Sequence, residues 1–62
     1  MEIEFPSDIR RAGDALRYAC DRLYENGINN FIHYNEVVNV EINGVNHYPI
    51  IDYSRYVVVF DL

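Results

Sequence analysis

Residues 36–49 read EVVNVEINGVNHYP. Val38, Val40 and Ile42 alternate with Val37, Asn39 and Glu41, the two-residue period of a strand with one face turned inward. Asn43-Gly44 follows at once. This pair is the strongest hairpin signal in the chain, because a type I′ turn needs positive φ at both central residues and these two residue types supply it. The turn pairs Ile42 with Val45 and Val40 with His47, and sets Val38 opposite Pro49. Proline has no N–H for the ladder, so the second strand must bulge, end or lie free on one side at that point.

Working outward, a second turn at residues 52–55 leads into 56–61, whose Val57-Val58-Val59-Phe60 centre is apolar on both faces. Residues 31–34 read as a short strand or a covering loop. Upstream, Ile9, Ala12, Leu16, Ala19, Cys20 and Leu23 recur at the three-and-four spacing of a helix face. Ser7 is placed to cap that helix, with Asp8 in its first turn. Asn26-Gly27 stops it, with Ile28 closing the apolar stripe. Gly13, Ala12, Ala19 and Cys20 make the buried face shallow, so the helix can lie close to a sheet bearing Phe5, Tyr56 and Phe60. Residues 2–5 alternate as a short first strand ended by Pro6. The expected fold is one α+β domain over residues 1–62, in β-α-β-β-β order, with one amphipathic helix across one face of an antiparallel sheet of three to four strands.

A chain of 62 residues hides only about 60% of the surface its unfolded form exposes, so its stability is marginal. Cys20 is the only cysteine, which excludes an internal disulfide and suits a reducing compartment. The acidic start MEIEFPSD does not read as a secretory signal, and no apolar run approaches the roughly 20 residues of a membrane span. The expectation is a cytoplasmic protein away from membranes.

The formal net charge is −5. Residues 7–26 are neutral, with Arg10, Arg11, Arg17 and Arg22 set against Asp8, Asp14, Asp21 and Glu25. The remaining six acids against Arg55 account for the whole excess. Such a balance argues against direct nucleic-acid binding, which relies on cations neutralising phosphates. All five basic residues are arginine and six residues are tyrosine, a composition suited to protein contacts.

No catalytic constellation emerges. The chain has no glycine-rich phosphate loop, paired-cysteine motif or nucleophile elbow, and no lysine for Schiff-base chemistry. His33, His47 and Cys20 are too few and too scattered for a zinc site. The sequence thus reads as a non-enzyme without cofactor or metal. Its surfaces are more informative. Arg10, Asp14, Arg17 and Asp21 form a ladder of opposite charges on the outer helix face, with Tyr18 among them. Arg10 and Arg11 lie toward the positive end of the helix dipole, and Asp21 and Glu25 toward the negative end, the less stable polarity. Arg11, Tyr18 and Arg22 are therefore the candidate partner-binding residues. The helix-covered sheet face is expected to carry Val38, Val40, Ile42, Val45, Val58 and Phe60. The opposite face carries Val37, Tyr48, Ile50, Val57 and Val59, too apolar to meet water in so small a protein, and is the candidate self-association surface.

These features point to a small protein–protein interaction module that forms a homodimer and binds another protein. Small acidic domains of this kind often serve as inhibitors or adaptors, phage-encoded blockers of host or defence machinery among them, an analogy of size and composition only. Two other readings are an acidic mimic of nucleic acid, for which ten acids offset by five arginines are thin, and a single-strand binder that stacks bases on tyrosines, which the net charge opposes.

Overall fold

The computed structural model describes residues 1–28, the backbone of 31–33, and residues 39–61. Its elements run β1 (Glu2–Glu4), α1 (Ala12–Glu25), β2 (Phe31–His33), β3 (Val40–Ile42), β4 (Val45–His47), β5 (Ile50–Asp52) and β6 (Val57–Val59). The fold is α+β, one amphipathic helix packed on antiparallel strands, as the sequence reading has it. The strands are short and fall into two sheets of three, an end-strand sheet β1-β6-β5 and a hairpin sheet β2-β3-β4.

Asn43 and Gly44 have φ of 52° and 82°, the left-handed pair that a type I′ turn requires. The register follows as read, Ile42 with Val45 and Val40 with His47, while Val38 lies outside the described residues. At Pro49 the strand ends. β4 stops at His47, and after Tyr48 and the buried Pro49 the chain enters the other sheet as β5. The missing N–H thus becomes the corner between two sheets. Residues 31–33 are a strand, pairing Phe31 with Ile42 and His33 with Val40.

The end-strand sheet joins distant parts of the chain. Glu2 pairs with Val59, Ile3 with Val58 and Glu4 with Val57. Beyond that ladder, Met1 N donates to Phe60 O at 2.9 Å, and Phe60 N–H returns a bond to Met1 O at 2.8 Å.

The helix starts later than its apolar spacing suggests. Ile9 N–H donates to Pro6 O at 3.1 Å, so Ser7 and Asp8 occupy the middle of a turn, where both residue types are favoured. The expected Ser7 cap is replaced by Arg11, extended at φ −107° and ψ 138°, with no side-chain capping bond. The turn serves packing, because it seats the half-buried Ile9 against the core. The other end is as expected. Gly27 takes φ 89°, its N–H donates to Tyr24 O at 3.1 Å, and Ile28 N–H donates to Leu23 O at 2.9 Å. These are the paired bonds of a Schellman motif, closed by Ile28 on the core.

Ala15, Leu16, Ala19, Cys20 and Leu23 are the buried face of α1, against Phe5, Val40, Ile42, Val58 and Phe60. The helix contacts β1 and β6 of one sheet and β2 of the other, and so ties the two together. Val45, expected under the helix, is 57% exposed. It lies on β4, the outer edge of the hairpin sheet, whereas α1 packs on the opposite edge strand, β2.

Between β5 and β6 the carboxylate of Asp52 organises the turn. Its Oδ1 accepts from Ser54 N–H at 2.9 Å, Ser54 Oγ–H at 2.7 Å and Arg55 N–H at 3.1 Å. Tyr56 then takes φ 55°, a left-handed conformation that costs a bulky residue about 1–2 kcal/mol. Its carbonyl accepts from Phe5 N–H at 2.9 Å. The Ser54 hydroxyl, then the Arg55 N–H, hold the Asp52 pKa below its ordinary value. A lowered folded-state pKa means that the carboxylate stabilises the turn at neutral pH and that this contribution fades as the pH falls through the carboxylate range. Asp52→Asn is therefore expected to lower the urea midpoint at pH 7, with a smaller gap to wild type at about pH 2, below the ordinary carboxylate range. An equal gap at both pH values would show that charge plays no part.

Candidate interaction surfaces

Register fixes the two faces of the end-strand sheet. Ile3, Val58 and Ile51 form its inner row, and Glu2–Val59–Ile50 and Glu4–Val57–Asp52 form two rows outside. Of the five residues expected to mediate self-association, Val37 lies outside the described residues. Tyr48 and Ile50 are 72% and 69% exposed, and Val59 is half-buried. Val57 departs from the expectation, being only 5% exposed. Arg55 explains this. Its guanidinium bonds Glu2 on β1 and lies 3.9 Å from Asp52 on β5. An arginine that reaches both flanking strands must lie across the one between, and its apolar stem shields β6. Sequence spacing gave no sign of this role, since Glu2 and Arg55 are brought together only by strand pairing. Val57 is thus already covered and offers nothing to a second chain.

The helix surface also differs from the expected ladder. Arg10 precedes the helix, Asp14 sits in its first turn and Arg22 in its last, the two latter placements being favourable to the dipole. Glu25 remains unfavourably placed but is paired, its Oε2 accepting from Arg22 Nη1 at 2.9 Å. Tyr18, expected to stand in solvent, is half-buried and packs on the core cluster. Its hydroxyl accepts from Arg22 Nη2 at 2.8 Å, and the same guanidinium carbon lies 5.2 Å from its ring centre, within cation–π range. Tyr18 and Arg22 meet Glu2, Ile3, Glu4 and Asn26 around an open cleft of about 410 Å³. Arg11 is not part of this group, being seven residues from Tyr18 and so about 10 Å along the helix axis.

A second cleft was not anticipated. Ser7, Ile9, Arg10, Tyr53 and Tyr56 line about 380 Å³ where the 6–9 turn meets the 53–56 turn. Both tyrosine rings stand edge-on to Phe5, with centroids 6.2 Å away and interplanar angles of 79° and 87°. The available signal was the Tyr53-Ser54-Arg55-Tyr56 run in a turn, which places two aromatics where no core can absorb both.

Cys20 is buried, and desolvation, with Asp21 adding to it, pushes its pKa up to about 11. Its thiol therefore stays protonated and unreactive at neutral pH. His47 is half-buried opposite Val40. Among the described residues no three metal-ligating side chains converge, and no helix is long and apolar enough to cross a membrane. Comparison of the chain with family models, curated proteins and solved structures gives no match.

Proposed function

We propose that the chain is a non-enzymatic protein-binding module, an inhibitor or adaptor of the reducing cytoplasm, that pairs with a second copy through the outer edge of β5. The observation that carries this reading is the unguarded run from Val45 to Ile51. They take in β4 and the first two residues of β5, each an edge strand of its sheet, hold no charged side chain before Asp52, and expose Val45, Tyr48 and Ile50. Soluble proteins usually protect such edges with charges or bulges, because unpaired backbone groups there accept another strand. A second copy fits the edge electrostatically. Antiparallel pairing about Ile51 sets Ile50 of each copy opposite Asp52 of the other, so the two carboxylates never face. The nucleic-acid mimic gains no support from the same sheet, since Glu2 and Asp52 are partly neutralised by Arg55.

Sedimentation from micromolar to millimolar protein tests the pairing. The wild type is expected to shift from monomer to dimer, and Ile50→Asp to remain monomeric with its thermal unfolding little changed, since exposed substitutions usually fall within about 0.5 kcal/mol. A wild type that stays monomeric at millimolar concentration removes the reading.

A further inference from the structure

We propose that the cleft between the 6–9 and 53–56 turns binds a short proline-containing peptide segment carrying one carboxylate. The proposal shares the protein-binding character of the reading above but uses a separate surface. The cleft volume of about 380 Å³ falls within the range of small binding sites, roughly 300–1,000 Å³. Its apolar part is pre-formed. Tyr53 and Tyr56 stay 44% and 40% exposed although both rings are fixed edge-on against the buried Phe5. Tyr56 also holds a left-handed backbone that glycine or asparagine would adopt with less strain, so its ring is kept at that point despite a local cost. Strain of this kind concentrates where a side chain must be presented to a ligand.

The polar part is equally distinct. Arg22 and Arg55 are held by Glu25 and Glu2, whereas Arg10 has no ion pair or hydrogen bond among the described residues. Arg10 borders the same cleft as Ser7 and the two tyrosines. Two exposed tyrosines beside one unpaired cation suit a compact apolar ring that packs on an aromatic face, next to one anion. Proline rings pack against tyrosine at little ordering cost, because a polyproline segment is already extended. One carboxylate then answers the one guanidinium. A nucleic-acid strand also offers rings and anions, but every added nucleotide brings a phosphate toward a protein of net charge −5, with a single arginine at the cleft to receive it.

The test is an amide-shift titration of the intact chain with the peptide acetyl-Ala-Pro-Pro-Asp-Pro-Pro-Ala-amide. The same peptide with Asn for Asp, and an oligothymidylate of about eight nucleotides, are run beside it. Shifts are expected at Ser7, Ile9, Arg10, Tyr53 and Tyr56. The Asn peptide is expected to bind about threefold to tenfold more weakly, and Arg10→Ala to abolish that difference between the peptides. No shift at these residues at millimolar Asp peptide, equal binding of the Asn peptide, or tighter binding of the oligothymidylate would each overturn the proposal. Arg10 is not a residue of the β5 edge, so dimerisation of Arg10→Ala is expected to remain at the wild-type level. Failure of the cleft and failure of the pairing edge are thereby distinguishable.

Discussion

Val58→Asp is expected to leave the chain unfolded, while Val59→Asp, one residue on, is expected to leave it folded with weakened self-association. The contrast follows from the two-residue period of a strand. Val58 is fully buried beneath α1, between Ile3 and Ile51, in the cluster with Leu16, Leu23 and Phe60. None of these neighbours can donate a side-chain hydrogen bond to a carboxylate. An uncompensated buried charge typically costs about 3–5 kcal/mol, against a total stability of about 3–9 kcal/mol for a chain of this length. Val59 lies half-buried in the outer row between Glu2 and Ile50, where a new carboxylate keeps access to water. Far-ultraviolet circular dichroism, with sedimentation of whichever variant remains folded, separates the two cases. A folded Val58→Asp would show that α1 does not cover this sheet.

Phe60→Ala is expected to lower stability by about 3–5 kcal/mol, the usual cost of emptying a buried aromatic site. Phe60 is 1% exposed and is among the largest fully buried side chains. Its backbone exchanges two hydrogen bonds with Met1, and these do not depend on the side chain. The loss is therefore one of packing alone, and Phe60→Leu is expected to recover more than half of it. Equilibrium urea unfolding of the three proteins checks the order. A Phe60→Ala variant within about 1 kcal/mol of wild type would mean that the cavity collapses freely and that the core is not close-packed there.

What could be read from the sequence was local. Asn43-Gly44 specifies its own φ values, and Gly27 with Ile28 specifies the helix end, because two or three adjacent residues determine each geometry. The inner alternation of Val40, Ile42, Val58 and Phe60 was legible for the same reason. The helix start was not, since Ser7 suits both a cap and a turn, and the choice depended on seating Ile9 in a core formed elsewhere. The division into two sheets was also hidden. Pro49 announced an interruption, but only tertiary packing decides whether a chain bulges or changes sheets. Among the surface residues, exposure of Tyr48 and Ile50 followed from alternation, whereas the covering of Val57 depended on Arg55 reaching Glu2 across 53 positions of sequence. The Tyr53–Tyr56 cleft needed two turns to meet and left little trace in either.

The pairing of Glu2–Glu4 with Val57–Val59 also sets an order on how the fold is assembled. The Asn43-Gly44 hairpin closes over two residues and is complete as soon as its own segment exists. The end-strand sheet must close a loop of more than fifty residues, an entropic barrier of about 3–4 kcal/mol beyond the constant term. During synthesis its first strand has to wait until residues 57–59 exist, and the strand it waits for, Val57–Val59, lies in the most continuous apolar segment of the sequence. The nascent protein thus holds Ile3 and Phe5 without their partner until residues 57–59 have been made, an interval in which unpaired strands are open to misassociation.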